Sequence, residues 1–168
     1  MPRCAAVKEQ RRERFMMKKM MAAVLAVFML LTLAACGSAQ TKTVDAQALA
    51  DALVQGVKFD GAMSAMSADE LRFSLAEMPD CTAAAYKSDG TTKEIVVVAQ
   101  CADSAAAATM KTSLETYLAE QKDEASKYQP EELQRLDGAV LQTVGTCVVL
   151  CVSADSDAAA ALIRENTK

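Results

Sequence analysis

Glu94-Ile95-Val96-Val97-Val98-Ala99-Gln100-Cys101 is the stretch whose reading decides the fold. Ile95 to Val98 are four β-branched residues in a row with no polar alternation, the pattern of a strand covered on both faces and so central in its sheet. Upstream, Cys81 to Lys87 reads as a weaker, Ala-rich strand, and Ser88-Asp89-Gly90-Thr91 as the turn that joins the two into an antiparallel hairpin. With that turn centred on Gly90 or Thr91, Cys81 and Cys101 fall nearly opposite each other at the open end.

Downstream, Asp103 or Ser104 caps the longest helix, which runs to about Ser126. Met110, Leu114, Tyr117 and Leu118 form its apolar stripe, and Lys111, Glu115, Glu120, Lys122, Asp123 and Glu124 its solvated side. Gln129-Pro130-Glu131-Glu132 opens a short helical turn that ends at Asp137-Gly138. Ala139 to Val144 and Thr146 to Ser153 form a second hairpin around Gly145, and Ala154 to Glu165 is a closing helix that starts at Asp155-Ser156-Asp157. Before the first hairpin, Val44 to Gln55 carries Leu49, Ala50, Leu53 and Val54 at helical spacing, with Asp45 in its first turn. Lys58 to Ser67 is a connection. Ser67-Ala68-Asp69-Glu70 is a capping box opening a short helix, Ala68 to Met78, that stops before Pro79. The order α-α-β-β-α-β-β-α predicts an α+β fold: one antiparallel sheet of about four strands in two hairpins, with helices mainly on one face.

The N-terminal part is of another kind. Lys18-Lys19 precedes an apolar run, Met20 to Ala35, that ends in Leu33-Ala34-Ala35-Cys36-Gly37-Ser38. Two cations, a 16-residue apolar run and small residues before a processing point predict a secretory signal over residues 1–35. The Leu-Ala-Ala-Cys ending resembles a bacterial lipobox, which implies cleavage between Ala35 and Cys36 and a diacylglycerol thioether on Cys36. Met1 to Phe15, with five cations and two acids, is long and charged for such a signal, so residues 1–16 are expected to be an extension upstream of the true start. Residues 36–43 then form the lipidated Cys and its tether, and 44–168 a single domain. Seven residues, Gly37 to Thr43, reach no further than about 25 Å.

Without residues 1–35 the chain keeps 11 basic and 20 acidic residues, a net charge of −9 against −4 for the whole. Phosphate backbones and anionic headgroups repel such a surface, so nucleic acid is not an expected partner and membrane attachment rests on the acyl chains. One chain anchors only marginally, whereas the two of a diacylglyceryl group hold stably. The chain has no His and no Trp, which excludes Ser-His-Asp and Cys-His catalysis and the commonest zinc ligand.

Lys93 to Val98, the long helix ending near Tyr128-Gln129-Pro130-Glu131-Glu132, Leu136-Asp137-Gly138-Ala139-Val140 and Val148 to Ser153 together resemble a family of bacterial, mostly Gram-positive, lipoproteins, the domain of unknown function 4358. The likeness covers roughly Val44 to Ile163 and is closest from Glu94 onward. That family usually has an aromatic in the last hairpin where this chain has Cys147, so any role of that ring is absent here. The resemblance implies the lipoprotein character and the fold, and carries no active site with it.

Cys81, Cys101, Cys147 and Cys151 allow three disulfide pairings in an exported domain. Cys147 and Cys151, four apart on one strand, lie about 13 Å from each other and are too far apart to bond. Cys81 with Cys101 is the candidate pair; the rival reading is four small buried hydrophobes. No Cys-x-x-Cys spacing supports a metal site, and Met63, Met66, Met78 and Met110 read as core filler. Tyr128, Pro130, Glu131 and Glu132 make a candidate binding loop, although carboxylates at a helix start explain themselves by the helix dipole. No residue is a candidate catalyst and no cofactor is expected beyond the lipid on Cys36. The expectation is a lipid-anchored module on the extracytoplasmic face of the cell membrane that binds an envelope protein or cell-wall component. Its rivals are an envelope enzyme using carboxylates on cell-wall or peptide substrates, and a thiol-redox or metal-handling protein.

Overall fold

In the computed structural model, which describes residues 43–168, the apolar run at Ile95 is the middle strand of a five-stranded sheet. In chain order the elements are α1 (Ala46–Gly56), β1 (Met63–Met66), α2 (Ala68–Ser74), β2 (Cys81–Ser88), β3 (Ile95–Cys101) and α3 (Ser104–Tyr128). A 3₁₀ turn (Pro130–Glu132) follows, then α4 (Leu133–Asp137), β4 (Val140–Val144), β5 (Cys147–Val152) and α5 (Ser156–Asn166). The sheet order is β1-β2-β3-β5-β4, antiparallel at every pairing. The mixed α+β class and the two hairpins are as the sequence predicts. The expectations for residues 1–42, including the signal, Ala35, Cys36 and most of the tether, lie outside the described residues.

Two expectations need correction. The sheet has five strands, because Met63–Met66, read as part of a connection, pairs with β2 from Ser88 to Ala85 as an edge strand. Its four residues include no β-branched side chain and only Met63 and Met66 are partly buried, so the pairing comes from β2 and not from local propensity. The helices also cover both faces. On one face, Val97, Ala99, Val148 and Leu150 pack against Leu71 of α2, Met110 and Leu114 of α3, and Leu136 of α4. On the other, Val96, Val98, Val149 and Cys151 pack against Leu49 and Leu53 of α1 and Ala159 and Ile163 of α5. Every residue of β5 is buried, as is every residue of β3 except Gln100, and strands like these require a layer on each side.

Local chemistry sets the element ends. Asp45, Asp103 and Asp155 each cap a helix, accepting from Ala48, Ala106 and Ala158 N–H at 3.0, 2.8 and 3.0 Å. Ser67 and Glu70 form the reciprocal capping box of α2. That helix stops at Ser74, short of Met78, because Leu75 turns to extended geometry and enters the core. Gly145, at φ +60°, opens the two-residue turn between β4 and β5, a conformation suited to the primed hairpin turns.

Candidate functional site

The sheet has two ends of different chemistry. At one, the start of β3 meets the finish of β5, and extending their register by one step sets Glu94 opposite Ser153. The Glu94 side chain is wholly buried. A buried carboxylate must be paired and hydrogen-bonded, and this one is. It accepts from the backbone N–H of Asp60 (3.0 Å) and Gly61 (2.8 Å) and from the Thr92 hydroxyl (2.9 Å), with Arg135 Nε at 3.5 Å. Gly61 is needed for this approach, since a Cβ there would meet Thr92 Oγ1 at 2.8 Å and Ser88 Cβ at 2.9 Å.

Arg135 of α4 gathers three carboxylates from separate parts of the chain. Besides Glu94 it donates to Glu132 Oε1 and to Asp60 Oδ2, each at 2.6 Å. Glu132 also accepts from Lys93 N–H at 2.8 Å. Burial opposes the Arg135 charge, but the Glu132 hydrogen bonds and the surrounding carboxylates outweigh it and hold the guanidinium above its ordinary value.

Beside this cluster lies a cleft of about 380 Å³, bordered by Asp60, Glu131, Arg135, Gly138, Ser153 and Ser156. Ser153 is 7% exposed and its hydroxyl has no hydrogen-bond partner among the described residues. Its strand neighbour Cys151 is pushed up to about 12, chiefly by burial; the Ser153 hydroxyl lies close enough to favour the thiolate, opposing that push, but not to make a full hydrogen bond. Ser153 borders the cleft while its Oγ is itself shielded from solvent, so the hydroxyl is an unused donor and acceptor that a ligand reaches only after a side-chain rotation. By contrast, the carboxylates of Asp60, Glu94 and Glu132 are committed to Arg135 and backbone amides.

The candidate loop divides. Tyr128 is 78% exposed, Pro130 is exposed, Glu131 borders the cleft, and Glu132 turns inward to Arg135. Sequence reasoning missed Asp60, Glu94, Arg135 and Ser153 as a group. They are 34, 41 and 18 positions apart in turn, so no spacing marks them.

At the other end of the sheet, Cys81 and Cys101 are direct cross-strand partners. Both are free thiols on the face of β2 and β3 that packs toward α2 and α3, whereas Cys147 and Cys151 belong to the opposite face. The described domain also begins at this end, where Val44 N–H donates to Gln100 Oε1 at 3.0 Å. Among the described residues no three His, Cys, Asp or Glu side chains are grouped to hold a metal ion, and no helix is long and apolar enough to cross a membrane.

Fold and site together define a small α+β domain with a polar cleft at one end of a five-stranded antiparallel sheet. Residues 76–153 match the family model described as Domain of unknown function (DUF4358), which supports the resemblance to that family over this stretch. The match takes in Glu94, Glu132, Arg135, Ser153 and all four domain cysteines, and leaves α1, β1, α2 and α5 outside. No curated protein and no solved structure matches the chain.

Proposed function

We propose that the protein is a lipid-anchored module on the extracytoplasmic face of the cell membrane. It would be held by a diacylglyceryl Cys36 and bind a polar envelope component, a peptide or glycan segment, in the cleft beside Arg135. The apolar run from Met20 and the lipobox-like Leu33 to Cys36 support the anchor, and the charge of −9 beyond them leaves attachment to the acyl chains. The observation that carries the binding role is the buried, unpartnered Ser153 hydroxyl on the cleft wall. Val44, where the described domain begins, lies at the opposite end of the sheet from the cleft, about 20 Å away along β3. Binding is favoured over acid–base catalysis because the cleft's buried carboxylates are already spent on Arg135 and on backbone N–H groups.

The test is crosslinking of the acylated full chain in membranes, wild type against Gly138→Leu. A Cβ at Gly138 meets nothing closer than 3.5 Å and the backbone there is at φ −80°, so a side chain can start at this cleft-bordering position without backbone strain. The expected result is a captured envelope component that falls at least tenfold in the variant. Equal capture by both proteins would remove the cleft from the function.

A further inference from the structure

We propose that Cys81 and Cys101 are a reversible dithiol–disulfide site, at which Cys81 meets a disulfide-bearing oxidant and Cys101 resolves the intermediate. Three observations carry this. The first is register. Ser88 N–H donates to the Glu94 carbonyl and Ala102 N–H to the Asp80 carbonyl, so pairs 88/94 and 80/102 are the hydrogen-bonded kind. Alternation along β2 and β3 then makes Cys81/Cys101 a non-hydrogen-bonded pair, the closer of the two types, with Cα atoms about 4.5 Å apart. Cysteines bridge at Cα separations of about 4.4–6.8 Å, most often 5.5–6 Å, so the pair can bond without moving the backbone, yet near the short limit where such bonds are more easily reduced.

The second observation is access. A cleft of about 160 Å³ opens at this sheet end, bordered by Asp80, Cys81, Thr82, Gln100 and Cys101. Cys81 is partly exposed there and Cys101 is buried behind it, which assigns the attacking and resolving roles. Burial raises both thiols, Cys101 to about 11; at Cys81 the Asp80 charge adds to burial, while the Arg72 charge and the Cys101 contact offset it. The third is isolation. Cys147 and Cys151 lie on the other face of the sheet, so the Cys81–Cys101 bond has no competitor within the domain.

The reaction is thiol–disulfide exchange. The Cys81 thiolate attacks one sulfur of the oxidant's disulfide, forming a mixed disulfide and releasing one oxidant thiolate. The Cys101 thiolate then attacks Cys81 Sγ, closing the cross-strand bond and releasing the second thiolate. The pair gives up two protons and two electrons, and the oxidant's disulfide becomes two thiols. The inference depends on the extracytoplasmic placement proposed above only for where such an oxidant would be met.

The test uses the purified full chain with oxidised glutathione, followed by thiol blocking and tryptic mapping. The expected product joins peptides 73–87 and 94–111, is undone by excess reduced glutathione, and leaves Cys147 and Cys151 in peptide 136–164 unmodified. In Cys101→Ser, and in Cys101→Ala should the serine disturb the core, glutathione is expected to remain on Cys81. Cys101 in Cys81→Ser is expected to react at least tenfold more slowly. Peptides that never join, a link that reduced glutathione leaves intact, or preferential adduct formation on Cys101 would each overturn the proposal. The readouts are taken on peptides 73–87, 94–111 and 136–164, so Cys36 lipidation is scored separately, on its own peptide.

Discussion

Ser153→Ala separates stability from binding, because the hydroxyl it removes is buried and has no partner among the described residues. An unsatisfied buried polar group costs about 1–3 kcal/mol of desolvation, and alanine releases that cost with the loss of one oxygen atom. The nearby Cys151 sulfur forms at most a weak interaction, so the gain belongs at the lower end, about 1 kcal/mol. For a domain of this size that is about 4 °C in Tm. The assay is urea denaturation followed by far-UV circular dichroism, run beside membrane crosslinking of the same variant. The expected outcome is a higher urea midpoint with an unchanged slope, together with reduced capture of the ligand. A loss of more than about 1 kcal/mol would show that the hydroxyl serves the fold, and unchanged capture would show that it does not serve the ligand.

Four further outcomes follow from the same geometry. Arg135→Met leaves Glu94 and Glu132 buried without their cation, and since backbone N–H groups and Thr92 still serve them the loss should be about 3 kcal/mol, the lower end for a broken buried pair, with partial recovery on adding Glu132→Gln; urea titration measures both. Gly61→Ala should cost about 1–3 kcal/mol from its clashes with Thr92 and Ser88, whereas Gly138→Ala, with ordinary contacts only, should be near neutral in the same titration. Ser67→Ala removes the cap of α2 and should lower the urea midpoint by the equivalent of about 1 kcal/mol. Cys101 and Cys147 stand at about 11 and Cys151 at about 12 in the fold, so the folded state keeps protons that the unfolded state releases; the thiols' contribution to stability should be level below about pH 8.5, fall as the pH rises through 12, and fall less steeply in Cys151→Ala, as urea titration at each pH measures.

What was legible in the sequence was whatever local pattern dictates. The unbroken Ile95–Val98 run announces a central strand, and Ser67 with Glu70 announces a helix start, because each signal lies within a few residues. The same run also implies cover on both faces, at odds with helices mainly on one side; the structure resolves the conflict by returning α5 to pack with α1. The β1 strand was hidden because Met63-Ser64-Ala65-Met66 takes its conformation from β2. In the sequence Glu94 reads only as the first residue of the central strand. Its burial depends on Asp60, Gly61 and Arg135, which only the tertiary fold brings to it. Clefts of this kind are products of topology, whereas the Cys81–Cys101 pairing followed from counting outward from the Gly90 turn.

The N-terminus of the membrane-extracted chain tests the proposed lipid anchor most directly. Intact mass and fatty-acid labelling should find a chain beginning at an acylated Cys36, with label and membrane retention lost in Cys36→Ser. A mature chain that retains residues before Cys36, or labelling unchanged by Cys36→Ser, would contradict it.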